Sequence, residues 1–250
     1  MNKRVISNDL TFLILVRLDS IERLENILLC TSFLNKNLVT KIKVMECSSY
    51  NNGLLKKLLG KDIQYSFIED NDNVLFRTGF LNKMTKSVET KFISIWDADV
   101  LVPVDQIVKS VNLLRKGKAD FVYPYDNRFL DTSMILRKLF IQDEEIEVLE
   151  KNASKMAEKY LPVPVGGAFL ANLKSYIDAG LENESFYGWG LEDGERYYRW
   201  ENLGYKIKRV SGPLFHLSHS RGMNSAFHNA DQYLLKRKEI IGIKRKKGNS

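Results

Sequence analysis

The first hundred residues alternate between short apolar runs and amphipathic segments, and this alternation limits the folds open to the chain. The runs LTFLILV (10–16), IKVMEC (42–47), IQYSFIE (63–69) and KFISIW (91–96) have the length and apolarity of strands. The first is continuously apolar, as expected for a strand that is covered on both faces. Helical patterns lie between several of these runs. The sequence therefore predicts an α/β domain with a doubly wound, mostly parallel central sheet.

The strand-and-helix pattern continues along most of the chain, with one interruption. Helices are predicted near 74–87 and 104–116. The segment 126–160 is charged and does not follow the alternation of strands and helices, so we interpret it as a helical insertion. The pattern then resumes, and we predict a single domain over 1–225 that is followed by a basic C-terminal tail over 226–250.

The positive charge of the chain is concentrated at its end. Lys and Arg outnumber Asp and Glu by 38 to 31, and seven of these basic residues fall in LLKRKEIIGIKRKKGNS. The body of the protein is thus close to neutral and has no RRM, KH or zinc-finger pattern, so we expect no nucleic-acid partner. Two interpretations of the tail stay open: a solvated end, or a peripheral contact with an anionic membrane surface.

Cysteine usage and hydropathy indicate the compartment. Cys30 and Cys47 have neither metal-ligand spacing nor a CxxC partner, so both are predicted to be buried free thiols in a reducing environment. No signal-peptide pattern is seen, and no apolar run approaches the about eighteen residues that a membrane span needs. We expect a cytoplasmic protein, with the inner face of the membrane as a possible location.

An Asp-x-Asp motif follows the predicted fourth strand. In WDADV, Asp97 and Asp99 lie on one side of an extended backbone because alternate side chains share a face. Together they could hold a hard divalent cation that also binds a diphosphate. The alternative is two solvent-facing acids in a turn.

Two of the three histidines lie close together in FHLSHSRG. His216 and His219 are three residues apart near the end of a predicted strand, so a bend is needed to bring them together. Imidazole suits Mn²⁺ or Zn²⁺ better than Mg²⁺. The alternative is one core histidine and one surface histidine; His228 is assigned no role.

The stretch GWGLED combines flexible glycines, an indole and paired acids. Glycine lets a loop move or lets a ligand approach the backbone closely. Trp189 offers a flat face to a sugar ring, and a carboxylate of Glu192 or Asp193 could accept a proton as a general base. The alternative is a buried Trp in a tight turn before a helix whose N-terminus favours acids.

Taken in order, these motifs resemble a known family. The segments VRLDSIERLEN, FRTGFLNKM, FISIWDADVLVP, VGGAFLANLKSYIDAGLENESFYGWGLEDGERYYRW and HLSHSRG are similar to those of inverting GT-A glycosyltransferases, within them the β-1,4-galactosyltransferase and chondroitin-synthase-like group. The resemblance covers about residues 10–222 apart from 126–160. It implies the GT-A fold, with a nucleotide-binding N-terminal half and an acceptor-binding C-terminal half.

The resemblance also implies roles for individual residues. Asp99, His216 and His219 match metal ligands for Mn²⁺, with Mg²⁺ as a possible substitute, and Asp193 matches the catalytic base. Residues expected to contact the donor nucleotide are Arg17, Asp19, Arg77, Asn82 and Asp97. Residues expected to hold the sugars are Gly167, Trp189, Gly190 and Glu192. His216 stands where the galactosyltransferases have a methionine, Leu191 where they have a glycine, and Gly194 where they have an acid that touches the acceptor.

The function implied is metal-dependent, inverting transfer of a sugar from a UDP-sugar to a hydroxyl of a glycan or lipid-linked glycan. The donor sugar expected is a hexose or N-acetylhexosamine such as galactose or GalNAc. By analogy, the pathway would be bacterial-type synthesis of capsule, lipopolysaccharide or another surface polysaccharide. Two alternatives stay open: a protein of the same fold that binds nucleotide sugar or carbohydrate without turnover, and a nucleotidyl or phosphoryl transferase.

Overall fold

The computed structural model describes residues 4–220, 222 and 230–246. Its strands are β1 (Val5–Val16), β2 (Leu38–Ser48), β3 (Ile63–Glu69), β4 (Phe92–Trp96), β5 (Val100–Leu101), β6 (Phe121–Tyr123), β7 (Phe129–Asp131), β8 (Ala157–Glu158), β9 (Ala168–Asn172), β10 (Ile207–Arg209) and β11 (Leu214–His216). Its helices are α1 (Ile21–Asn37), α2 (Leu54–Leu58), α3 (Arg77–Thr85), α4 (Val104–Arg115), α5 (Met134–Asp143), α6 (Ile146–Lys151), α7 (Leu173–Asp178), α8 (Glu192–Asn202) and α9 (Ala230–Lys246).

A large mixed sheet forms the centre of the protein. Within the described ranges its strand order is β10-β6-β9-β4-β1-β2-β3. Strands β1 to β4 pair in parallel, as do β6 and β10, whereas β9 runs antiparallel to both β4 and β6. The predicted α/β class and mostly parallel sheet are confirmed.

The apolar strands lie in the middle of this sheet. Residues 10–16 of β1 and all of β4 are buried, as expected for strands that are covered on both faces. Since β1 and β4 are parallel neighbours, their carboxyl ends meet at one edge. Arg17 follows β1 there, and Asp97 and Asp99 follow β4, so the sheet itself assembles part of the site.

A second, smaller sheet corrects the interpretation of 126–160 as a purely helical insertion. That segment supplies the helices α5 and α6, but also β7 and β8 of a sheet ordered β5-β11-β7-β8. Strand β7 pairs in parallel with β11, so that Asp131 lies opposite His216. The strands were missed because two or three residues are too few to show a periodic pattern.

The C-terminal segment is also more ordered than the predicted basic tail. Residues 230–246 form helix α9, which packs against α8. Lys236, one of the basic residues of this segment, is buried. His228 and the last four residues lie outside the described ranges. Among the helices described, we find none that combines the length and apolarity needed to cross a bilayer.

Helix α8 is attached to the sheet by Trp200. This residue is buried and stacks on Phe121 of β6 with the ring centroids 3.7 Å apart. Its edge also meets Phe169 of β9 at a centroid distance of 5.1 Å. Because α8 begins with the two acids of GWGLED, this stacking fixes the helix that carries them.

We expect Trp200→Ala to lower the free energy of unfolding by about 3–5 kcal/mol, because it removes a large side chain from a packed core. Guanidinium denaturation measures this loss. The matched control is Ile177→Ala, on the half-exposed face of α7, which should change stability by no more than about 0.5 kcal/mol. Equal losses in the two variants would contradict the role given to Trp200.

Candidate active site

A cavity of about 430 Å³ opens at the carboxyl edge of the central sheet. Eleven of the thirteen residues singled out from the sequence line it: Arg17, Arg77, Asp97, Asp99, Gly167, Trp189, Gly190, Glu192, Asp193, His216 and His219. The fold thus brings together motifs that are more than a hundred residues apart in the chain.

Three of these side chains form a candidate metal centre. Among the described residues, Asp99, His216 and His219 each offer one ligand atom, and these atoms lie within 4.8 Å of one another. The Nε2 atom of His219 is 3.1 Å from Asp99 Oδ2, and that of His216 is 3.7 Å from the same oxygen. Two nitrogens and one oxygen therefore converge on one point.

The opposite ring nitrogens of both histidines are occupied. Nδ1 of His216 lies 2.7 Å from Asp131 Oδ1, and Nδ1 of His219 lies 2.8 Å from the Ser220 carbonyl oxygen. Both partners are acceptors, so each Nδ1 carries a proton and donates it. In the neutral imidazole the Nε2 lone pair then faces Asp99, which is the arrangement found in metal-binding histidines.

The electrostatics of the group favour positive charge at this point. Burial opposes ionisation of Asp99, but His216 and His219 outweigh it and hold the pKa of Asp99 below its ordinary value. Burial likewise favours neutral His216, yet Asp99 and Asp131 outweigh it and raise the pKa of His216. A cation between these side chains would satisfy all of them, so the donor set fits a divalent metal ion.

A bend after β11 resolves the spacing of the two histidines. The Leu217 N–H donates to the Asp99 carbonyl at 2.7 Å, and Asn26 of α1 donates from Nδ2 to the Leu217 carbonyl at 2.9 Å. The Ser218 N–H donates to Thr132 Oγ1 at 3.0 Å. These bonds turn the chain so that both rings face the same carboxylate.

Asp97, the first acid of the Asp-x-Asp motif, has a different partner. Its Oδ1 accepts from Arg77 Nη2 of α3 at 2.5 Å. Burial raises the pKa of Asp97 to about 6, against the attraction of Arg77. The motif is therefore divided: Asp99 faces the histidines and Asp97 faces a guanidinium.

The two acids at the start of α8 differ in exposure. Asp193 has 31% of its side chain exposed and accepts from Arg196 Nη2 at 2.5 Å. Glu192 has only 6% exposed, with Arg77 Nε at 4.0 Å. Burial, reinforced by the charge of Asp193, raises the pKa of Glu192 to about 7. Asp193 is thus the more accessible carboxylate of the two.

Buried charges and close backbone contacts hold Asp193 in place. Arg196 is buried and also pairs with Glu182 at 2.8 Å, which fixes its guanidinium. A Cβ at Gly166 would lie 2.6 Å from Asp193 Oδ2, so a side chain at this position would displace the carboxylate. Gly167 has φ +80°, and a Cβ there would meet Phe129 at 2.8 Å.

Leu191, which the resemblance predicts to replace a glycine, has an unusual backbone conformation. It precedes α8 with φ +70°, in the left-handed region that favours glycine. For a residue with a Cβ this conformation costs roughly 1–2 kcal/mol. The surrounding structure must supply that energy.

Asp19 and Asn82, both predicted to contact a nucleotide, do not line the cavity. Asp19 pairs with Arg23 at 2.8 Å, and it is Arg23 that reaches the cavity. Asn82 is buried and donates from Nδ2 to the Glu182 carbonyl at 2.9 Å. This bond joins α3 to the segment before GWGLED, so Asn82 has a structural role.

Sequence reasoning missed Asp131, Gly166 and Arg196. Asp131 occupies a three-residue strand, and Arg196 lies in a charged helix where nothing marks it as buried. Only Gly166 had a usable signal, since the Gly-Gly pair is unusual at the start of a strand. Although burial opposes its ionisation, the bond to His216 helps to lower the pKa of Asp131 to about 2.

We expect Asp131→Asn to weaken binding of a divalent metal by about 10–100-fold, because the carboxylate orients His216 and increases its basicity. Titration calorimetry with Mn²⁺ measures the affinity. Asp178→Asn on α7, whose carboxylate pairs only with a surface lysine in the described contacts, is the control and should leave it unchanged. An unaltered affinity in Asp131→Asn would show that His216 needs no such support.

Comparison with known proteins places these observations in context. The sequence model described as the N-terminal domain of galactosyltransferase matches residues 154–221, which include GWGLED and both histidines. No curated protein sequence matches the chain.

Solved structures match over nearly the whole chain. The catalytic domain of Drosophila β1,4-galactosyltransferase 7 in complex with xylobiose has 17% identity and a TM-score of 0.58, covering 93% of this chain and 81% of that one. A mutant of that enzyme with manganese, UDP-Gal and xylobiose has 16% identity and a TM-score of 0.56, with coverages of 92% and 80%. A mannosyltransferase from Pyrobaculum calidifontis with GDP-Man and Mn²⁺ has 14% identity and a TM-score of 0.55, with coverages of 100% and 66%.

The structural matches establish the GT-A fold, and the matched segment confirms the resemblance to galactosyltransferases. The chain thus shares its fold with glycosyltransferases, and over residues 154–221 it also resembles galactosyltransferases in sequence.

Proposed function

We propose that the protein is a Mn²⁺-dependent, inverting glycosyltransferase that moves a sugar from a UDP-sugar to a hydroxyl of a glycan. The observation that carries this proposal is the shared cavity, which is lined both by the converging ligands Asp99, His216 and His219 and by the accessible carboxylate of Asp193. A cation site and a base in one cavity are what displacement at a sugar diphosphate requires.

Asp99, His216 and His219 would hold the metal ion. Two imidazoles with a carboxylate suit Mn²⁺, and Mg²⁺ fits the nitrogens less well. When bound, the ion would neutralise the negative charge that develops on the departing diphosphate. Two of the similar structures are complexes with manganese and a nucleotide sugar.

Arg17, Arg77 and Asp97 would bind the nucleotide. Arg17 is held rigidly by bonds to the Cys47 carbonyl at 3.1 Å and the Asp72 carbonyl at 2.8 Å, and by an ion pair with Asp70. A guanidinium fixed in this way would give the nucleobase or ribose a rigid surface to pack against. The pair between Arg77 and Asp97 lies beside the metal ligands, where the diphosphate and ribose would meet.

Asp193 would act as the base. Its carboxylate is oriented by Arg196 and is exposed to the cavity, so that it can accept the proton of the acceptor hydroxyl as this attacks the anomeric carbon. A single displacement inverts the anomeric centre and needs only one base. Glu192, which is buried beside it, would accept hydrogen bonds from a sugar, and Trp189 would offer its face to a ring.

Several finer points belong to the same proposal. The donor sugar is taken to be a hexose or N-acetylhexosamine such as galactose or GalNAc, and the acceptor a glycan or lipid-linked glycan. We also propose a cytoplasmic location and a role in bacterial-type synthesis of surface polysaccharide. These points rest on analogy with the family. A membrane contact through the C-terminal segment would have to use residues other than the buried Lys236.

With Mn²⁺ and a panel of UDP-sugars, the wild-type protein should release UDP in the presence of a glycan acceptor. Asp193→Asn should reduce this rate by about 10²–10⁴-fold, because the acceptor loses its general base. Asp105→Asn, an exposed acid on α4, is the control and should retain full activity. A fully active Asp193→Asn enzyme would refute the assignment of the base.

The products of the same reaction separate the alternatives. Free UDP together with an extended glycan indicates sugar transfer, whereas pyrophosphate or a phosphorylated product would indicate nucleotidyl or phosphoryl transfer. Binding of UDP-sugar without turnover across the panel would indicate a binding protein of the same fold.

His219→Ala should abolish the Mn²⁺ dependence of UDP binding, because it removes one of three converging ligands. Calorimetric titration of UDP with and without Mn²⁺ measures this. A variant that binds UDP with the same Mn²⁺ dependence as the wild type would exclude His219 as a ligand.

A further inference from the structure

Lys236 of α9 is buried against the loop that carries Trp189. Only 3% of this lysine is exposed. Its Nζ donates to the Gly188 carbonyl at 3.1 Å and to the Trp189 carbonyl at 3.0 Å. A buried ammonium group that caps two successive carbonyls is a strong, charge-assisted contact.

The backbone of this loop needs support from outside. Gly188, Gly190 and Leu191 all have positive φ, at 73°, 100° and 70°. Two of the three are glycines, which lose more conformational freedom on ordering than other residues. Since Lys236 contacts the main chain, it restrains the loop directly and with it the position of the Trp189 side chain.

Helix α9 is also held against α8, the helix that follows the loop. Asn202, at the end of α8, donates from Nδ2 to the Ile243 carbonyl at 2.7 Å. A Cβ at Gly194 would lie 3.7 Å from Ile240 Cδ1, so any longer side chain there would project toward α9. Gly194 lines the cavity, so α9 borders the cavity at this position.

The charge of Lys236 also complements that of the site. Glu192, at the start of α8, is buried and faces both Asp193 and Arg77. The ammonium group of Lys236 adds positive charge on the α9 side, which favours the ionised form of Glu192. Burial lowers the pKa of Lys236, and Glu192 opposes that effect.

We propose that α9 is part of the acceptor site and that Lys236 is a positioning residue, which fixes the main chain of Gly188 and Trp189 so that Trp189 and the acids of α8 are set for the acceptor sugar. The inference deepens the proposed function and rests on it. Lys236 does not line the cavity. Its loss should therefore affect acceptor binding and leave binding of UDP at the opposite wall intact.

The test compares Lys236→Met with Lys238→Met. Both substitutions keep a long, helix-compatible side chain and remove one charge from α9, but Lys238 is exposed. In Lys236→Met we expect the Michaelis constant for the acceptor to rise about tenfold, because the loop loses charge-assisted hydrogen bonds. The calorimetric affinity for UDP with Mn²⁺ should stay the same. Lys238→Met should match the wild type in both.

Hydrogen exchange gives a second readout that does not require activity. Amides of residues 186–191 should exchange about tenfold faster in Lys236→Met than in Lys238→Met, whereas those of β1 and β4 should not change. If the wild-type protein transfers no sugar, the proposed function fails, and hydrogen exchange still decides whether Lys236 restrains the loop.

Three results would overturn the proposal. One is unchanged exchange in 186–191, and another is an acceptor Michaelis constant equal to that of the wild type. The third is a loss of UDP affinity as large as the rise in the acceptor Michaelis constant, which would show that Lys236 has a general structural role. Should Lys236→Met not fold, Ile240→Ala replaces it. This variant loosens the packing of α9 near Gly194 and keeps the ammonium group of Lys236. It should raise the Michaelis constant for the acceptor by less than tenfold, and an unchanged constant would count against the proposal.

Discussion

The convergence of two imidazole nitrogens on one oxygen of Asp99 is the constraint on which the site depends. Two neutral imidazoles with their Nδ1 atoms engaged present lone pairs to a carboxylate, and a proton or a metal ion between them relieves the repulsion. The small sheet provides this geometry, since β11 pairs with β5 on one side and with β7 on the other. His216 is thereby placed between Asp99 and Asp131.

The side of the cavity that carries Asp193 is stabilised differently from the side that carries Asp99 and the histidines. There a strained, glycine-rich loop leads into α8, and buried cations hold it: Arg196 binds Asp193, and Lys236 binds the carbonyls before it. Each cation has more than one partner, which compensates for the cost of removing it from water. The wall that would meet the acceptor is therefore held by contacts that span α8, α9 and the segment around Glu182.

Much of this could be predicted from local sequence. The strands β1 to β4 are long apolar runs, and the motifs around Asp99, Trp189 and His219 have residue types suited to their chemistry. Asp131 and Lys236 could not be predicted, because neither the three residues of β7 nor a lysine in a basic segment carries a local signal. Asn82 and Asp19 were placed at the nucleotide by resemblance, yet the first joins two segments and the second pairs with Arg23.

The sequence by itself determined the α/β class, the strands β1 to β4 and the residue types available for metal, base and sugar. Hydrophobic periodicity and motif spacing are local properties, so they can be read without coordinates. Only the tertiary structure decided which of the acids is exposed, which arginine and lysine are buried, and that both histidines face Asp99. The exposure and orientation of these side chains depend on packing between segments that are far apart in the chain. Burial there determines which side chains are charged, and hydrogen bonds determine the direction in which each one points.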